Sequence, residues 1–222
     1  MNTLRRNTSM KKILILGANG ATAREIIQRL LKQDDVKLTL FLRHKNRIDD
    51  LRGDRADVFE GDVNNPGDLR AAVQGQDMVV STIGGMDLDV KTRAVIAAMK
   101  ACGVRRIIAI SAGGIYDELP EPFNRWDLDM VGYTRPVNLA MAEALEQSLL
   151  DYTVLRPVWL TDSPGAEFLL TKKGEMYKGT ETSRASIAAF VAEVAKNPEL
   201  HINENLGISQ PGTDGDKPRA YR

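Results

Sequence analysis

The stretch Lys12–Arg24, KILILGANGATAR, decides the fold: four apolar residues, Ile13 to Leu16, run without interruption into Gly17, and a second glycine follows at Gly20. An unbroken apolar run is what a strand covered on both faces of a parallel sheet requires. Gly17 opens the turn, Gly20 leaves room for a pyrophosphate to approach the backbone, and Ala23, in place of a third glycine, keeps the new helix close to the strand. The amides of Asn19, Gly20, Ala21 and Thr22 then point at the anion, backed by the positive end of the helix dipole. A glycine pattern alone is a weak signal and also suits an ordinary α/β turn. Its context here is an amphipathic helix (Ile26, Ile27, Leu30, Leu31) and a second strand, Lys37 to Leu42, and that βαβ unit predicts dinucleotide binding.

Working outward, strand and helix patterns alternate almost to the end of the chain. A short strand is expected near Ala56 to Phe59, then a helix from Pro66 that Asn65 caps and whose first turn holds Asp68. A fourth strand runs from Asp77 to Thr82, and a helix from about Val90 to Ala101 stops before Gly103. The fifth strand, Arg105 to Ile110, leads to Ser111; a helix over Pro136 to Leu150 and a sixth strand, Tyr152 to Arg156, closing at Pro157, complete the pattern. Ser183 reads as the cap of a last helix with Ile187, Phe190, Val191 and Val194 on its apolar face, and Leu206 to Ile208 as a short seventh strand. Right-handed connections then give a single α/β, doubly wound (Rossmann) domain, mostly parallel, with strand order 3-2-1-4-5-6. The loops after Leu16, Leu42, Thr82, Ile110 and Arg156 converge at the carboxyl ends of the strands, where the cleft must lie.

The 222 residues suit one substantial domain over 11–210, flanked by a polar, basic extension at 1–10 and a polar tail at 211–222. Lys+Arg and Asp+Glu both total 30, so nothing in the charge points to nucleic acid or a membrane surface. A single cysteine, Cys102, excludes an internal disulfide, and two histidines, His44 and His201, leave no metal-binding cluster. The first residues lack the apolar core of a secretory signal, so the cytoplasm is the expected compartment.

Six motifs in order, GANGATA at 17–23, GDV at 61–63, STIGG at 81–85, GVRRIIAISAGG at 103–114, YTVLRP at 152–157 and TSRASIAAFV at 182–191, make residues 11–210 resemble the atypical short-chain dehydrogenase/reductase superfamily. The resemblance is to its small NmrA-like members and to the flavin reductase and biliverdin-IXβ reductase group. It implies that Asp62, with Val63 beside it, meets the adenine, although Asp62 also suits a turn carboxylate before Pro66. Thr82, Ile83 and Gly84 would cover the nicotinamide ribose and pyrophosphate. Ser111 would face the nicotinamide and hydrogen-bond a substrate carbonyl, or only satisfy a strand end. Pro157 and Val158 would line the carboxamide side, or Pro157 would simply end its strand.

Arg43 closes the second strand, where NAD-specific enzymes carry a carboxylate for the ribose hydroxyls, and a planar cation there suits a 2′-phosphate instead. Lys45, Arg47 and Arg24 are candidate helpers. The expected cofactor is therefore NADP, with NAD as the alternative. Tyr133 is the candidate proton donor, but the lysine expected four residues later is Val137, so the phenol lacks its usual activator. Residues 113–133 read as a substrate-side loop whose Tyr116 and Trp126, together with Trp159, would stack on a flat acceptor or anchor the loop.

These residues favour an NAD(P)H-dependent oxidoreductase reducing a small planar acceptor such as a flavin or quinone, since such hydride transfer needs orientation more than a dedicated acid. The alternative is a non-catalytic NADP-binding redox sensor that reports to a protein partner. A sugar-nucleotide epimerase or dehydratase ranks third, lacking the Tyr/Lys pair. The apolar helix near Leu139 to Leu150 suits a homodimer or covers the sheet.

Overall fold

The alternation of Ile13 and Ile15 with Leu14 and Leu16 divides the interior: the first pair joins one apolar cluster and the second pair another, on opposite faces of one sheet. These relations come from a computed structural model, which describes residues 10–222. The expected extension over 1–10 lies, apart from Met10, outside the described residues.

The chain forms β1 (Lys11–Leu16), α1 (Ala21–Leu30), β2 (Val36–Leu42), β3 (Ala56–Glu60), α2 (Pro66–Val73), β4 (Met78–Ser81), α3 (Leu88–Cys102) and β5 (Arg106–Ile110). It continues through α4 (Phe123–Val131), α5 (Arg135–Glu146), β6 (Asp151–Pro157), β7 (Trp159–Thr161), β8 (Leu169–Thr171), β9 (Glu181–Ser183), α6 (Arg184–Lys196) and β10 (Glu204–Ser209). Eight strands make one sheet in the order β3-β2-β1-β4-β5-β6-β10-β8, parallel except for β8. The expected 3-2-1-4-5-6 core is present, and the short seventh strand is a full neighbour of β6, pairing Leu206 with Leu155. β7 and β9 form a separate parallel pair that the sequence pattern did not reveal, because three-residue strands carry no periodicity.

Helices α1 and α6 cover one face through Ile26, Ile27, Leu30, Ile187, Phe190 and Val191. The other face lies under α2, α3 and α5 through Leu69, Val95, Met99, Met141 and Leu145. The apolar side of α5 is thus spent on the sheet. This helix ends at Glu146 rather than Leu150: Leu149 has φ +63°, a left-handed turn that no helix continues. Gly103, also left-handed at φ +70°, ends α3 as expected. The 113–133 segment is not a plain loop, since α4 occupies its second half.

Two features order the segments beyond β5 and β6. Arg156 on β6 and Glu118 form an ion pair with both side chains fully buried. Glu118 also accepts the Gly114 and Tyr116 amides at 3.2 and 2.6 Å, while Arg156 donates to Asn205 Oδ1 on β10 at 2.7 Å. Tyr177, whose hydroxyl donates to the Arg156 carbonyl at 2.6 Å, closes the network, and burial pushes its phenol well up. The second feature is the chain end: residues 211–222 are polar but lie against the body, with Arg219 on Glu181 at 3.0 Å and Tyr221 against Trp126 and Trp159.

A buried charge left without its partner is expensive. Glu118→Gln should therefore lower stability by about 3–5 kcal/mol in urea unfolding; a loss under about 1 kcal/mol would mean that this pair does not hold the segment.

Candidate functional site

The turn after β1 is built to meet an anion. Gly17 sits at φ +80°, and a Cβ there would come within 3.1 Å of Thr82 Oγ1, so the protein itself demands glycine. Gly20 differs. A Cβ on it would meet only the Gly17 carbonyl oxygen at 3.4 Å, and one on Gly84 would meet nothing within 4 Å. Packing requires glycine at neither position, whereas a phosphate lying against the backbone does. The start of α1 agrees: Gly20 is its cap, no side chain satisfies its first amides, and its first turn holds no acid. Asn65 caps α2 and Ser183 caps α6, whereas α3, α4 and α5, like α1, have no side-chain cap. The residues present therefore fit a dinucleotide phosphate.

Gly17 and Gly84 line a cleft of about 260 Å³ together with Asn19, Arg43, Arg47, Asp62, Val63, Thr82, Ile83 and Lys91; Gly20 is not among its lining residues. Ala21 and Thr22, the first residues of α1, are not among its lining residues. Thr82 is locked by donating to the Leu16 carbonyl at 2.8 Å, which holds the β1 and β4 turns together. Asp62 serves as the turn carboxylate. One oxygen accepts the Asn64 amide at 2.9 Å, and the residue still faces the cleft.

The rim sorts the candidate cations. Arg24 is tied to Asp50 at 2.8 Å, and Lys45 turns to Glu60, whose carboxyl its amide hydrogen bond holds below the ordinary range. Arg43 and Arg47 line the cleft and have no acidic partner among the described residues. They are the pair that suits a ribose phosphate. Lys91, one turn into α3, was not singled out from the sequence; it reaches Asp87 at 2.7 Å and the Gly84 carbonyl at 3.1 Å, stiffening the glycine loop. Its only sequence signal was the Asp87 to Lys91 spacing.

Next along the sheet, a second pocket of about 350 Å³ lies beyond β5 and β6, lined by Ser111, Asp127, Thr134, Arg135, Pro157, Val158, Trp159 and Arg184 among others. Ser111 is 8% exposed, and its hydroxyl reaches the Asn138 backbone and side-chain oxygens only at 3.3 and 3.4 Å. Bonds that long are weak, which leaves the hydroxyl able to turn to a ligand. Arg135 donates to Asp127 at 2.8 Å and to Asn124 at 2.9 Å. Burial raises the Asp127 carboxyl above its ordinary value, against the pull of Arg135.

Three expectations are corrected here. Tyr133 is 70% exposed and does not line the pocket, because a 3-10 turn over Gly132–Thr134 breaks the helix that would have aimed it inward. Arg135 gives it no support, being paired with Asp127. Tyr116 points into the Arg156 network, bonding Asn205 at 2.9 Å with Lys173 over its ring, so it faces no acceptor. Trp126 is spent on Phe123, Trp159 and Tyr221, and of the three aromatics only Trp159 reaches the pocket wall. Among the described residues no group of three or more His, Cys, Asp or Glu could hold a metal ion, and no helix is long and apolar enough to cross a membrane.

Comparison with known proteins agrees with this geometry. The model of a family described as NAD(P)H-binding matches residues 17–198. A Rossmann-fold NAD(P)-binding family protein from Shigella flexneri is 44% identical, with TM-score 0.80 over 94% of this chain and 98% of that one. A short-chain dehydrogenase/reductase from Veillonella parvula, solved in complex with NADP, is 29% identical, with TM-score 0.87 over 94% and 99%. A curated relative from Bacillus subtilis (strain 168), an uncharacterized sugar epimerase, YhfK, is 26% identical over 94% of this chain and 97% of its own length.

Two substitutions separate the cofactor contacts. Arg43→Ala should weaken NADP by about 1.5–3 kcal/mol and NAD much less; equal losses in calorimetric titration would remove Arg43 from the phosphate site. Gly20→Ala should leave the melting temperature unchanged while reducing binding of both nucleotides, and unchanged affinity would show that no phosphate approaches that turn.

Proposed function

This chain belongs to the NAD(P)H-binding family, and from that premise we propose that it is an NADPH-dependent reductase of a small planar acceptor, of the flavin or quinone kind. One observation carries the reading: a nucleotide cleft with two unpaired arginines adjoins, across neighbouring strand ends, a pocket walled by Ser111, Pro157, Val158 and Trp159. NADPH, when bound, supplies a hydride that with one proton from solvent reduces the acceptor by two electrons. Arg43 and Arg47 hold the ribose phosphate, and the amides of Ala21 and Thr22 hold the pyrophosphate. Pro157 and Val158 form the wall against which the nicotinamide is oriented. Ser111, with only long bonds to Asn138, donates to the acceptor oxygen or nitrogen that gains charge. Trp159 supplies apolar area to a flat ring.

The exposed Tyr133 and the valine at 137 exclude a phenol primed by lysine, and this restricts the chemistry. Acceptors whose reduced forms take protons from water suit the site; a sugar epimerisation, the activity named for the Bacillus relative, would lack the lysine-primed tyrosine and find only the Arg135-paired Asp127 as an acid or base in this pocket. The same restriction favours a second reading, an NADP-binding sensor that reports redox state to a partner. The cytoplasm fits both, in keeping with the single free thiol at Cys102.

Mixing the protein with NADPH and a panel of flavins and quinones, followed at 340 nm, should give turnover. Ser111→Ala should lower kcat by about 10²-fold, the usual cost of one donor to developing charge. No turnover across the panel, with similar calorimetric affinity for NADP and NADPH and a partner captured in only one redox state of the cofactor, would overturn the reductase in favour of the sensor.

A further inference from the structure

The pocket beside Ser111 holds more positive charge than an uncharged quinone would use. Its lining contains two guanidiniums, Arg135 and Arg184, and one carboxylate, Asp127. The two arginines open helices on opposite faces of the sheet, Arg135 as the first residue of α5 and Arg184 as the first of α6, so the fold brings them to one cavity from two sides. In both, the Nε–H is buried and has no acceptor among the described residues. A buried donor left unpaired costs about 1–3 kcal/mol, so the protein around them saturates neither guanidinium.

The acids nearby offset this charge only in part. Asp162, which meets Arg184 at 2.6 Å, is itself 86% exposed at the side chain, so solvent weakens the pair. Asp127 occupies one terminal nitrogen of Arg135 and leaves Nε uncommitted. We propose that the acceptor carries an oxyanion, a carboxylate or a phosphate monoester, which Arg135 and Arg184 bind while Ser111 meets the ring. This inference rests on the reading that the pocket receives the acceptor. It adds a substrate class, and the planar guanidinium forks suit a two-oxygen group.

Two matched pairs of probes test it: riboflavin against FMN for a phosphate, and a naphthoquinone bearing a carboxymethyl side chain against its methyl ester. Binding is measured by calorimetry on the NADP-loaded protein and reduction by NADPH oxidation. At least one anionic member should bind and react about tenfold better than its neutral partner, the effect of one charge-assisted contact. Arg184→Gln should bring that ratio towards one by raising KM for the anion, and Arg184→Lys should keep part of it. Arg135→Gln should act likewise, and Arg184→Gln remains the decisive variant if loss of the Arg135 contacts to Asp127 unfolds the chain. Equal binding within both pairs, or a preference that survives Arg184→Gln, overturns the proposal. If neither pair is reduced, the reductase reading fails by itself; a calorimetric preference for the anion that Arg184→Gln removes would still support the oxyanion site.

Discussion

A parallel sheet is stable only when both of its faces are covered, and nearly everything else in this molecule follows from that constraint. Adjacent residues of β1 belong to different cores, Ile13 and Ile15 under α1 and α6, Leu14 and Leu16 under α3 and α5. Each crossover must return a chain to the same end of the sheet, so every strand delivers its following loop to one edge. The strand order reverses between β1 and β4, and the two turns that part there are Gly17–Gly20 and Thr82–Gly84. The cleft is thus a consequence of topology, and the residues in it are those that topology leaves without cover.

The segments beyond β5 and β6 depend on a different interaction. Arg156 and Glu118 are buried without solvent, and between them they fix the 113–118 turn, Tyr177 and Asn205 relative to the end of β6. A pair so placed contributes little net stability compared with apolar residues, yet losing one member would leave the other's charge unmet. Its value here is positional: it sets where Ser111, Pro157 and Val158 stand. Tyr116 belongs to this scaffold, holding the underside of the wall with Glu146 and Lys173.

Chemistry at the site is organised by what is missing as much as by what is present. With valine at 137 and Tyr133 outside the pocket, no lysine-primed phenol faces it, and Asp127 is the carboxyl in its lining. Charge is concentrated instead on arginines, Arg43 and Arg47 on the nucleotide side and Arg135 and Arg184 on the other. A guanidinium orients an anion strongly and gives up no proton near neutral pH, which suits positioning rather than acid catalysis.

The sequence by itself determined the six-strand parallel core, its order and the glycine turn, because each is written in neighbouring residues: the apolar run into Gly17, the uncapped start of α1, the cap at Asn65, the stop at Gly103. Arg43 was legible for the same reason, standing at a fixed place after a strand. Only the tertiary structure decided what the aromatics and the remaining charges do. Tyr116, Trp126 and Tyr221 look alike in sequence, and their partners Asn205, Trp159 and Glu146 lie far away along the chain. Which arginines stay unpaired, Arg47 but not Arg24, Arg184 at its Nε, depends on whether a carboxylate from another element arrives within hydrogen-bond distance. Local sequence fixes backbone shape, whereas the partner of a long side chain is set by how separate elements pack.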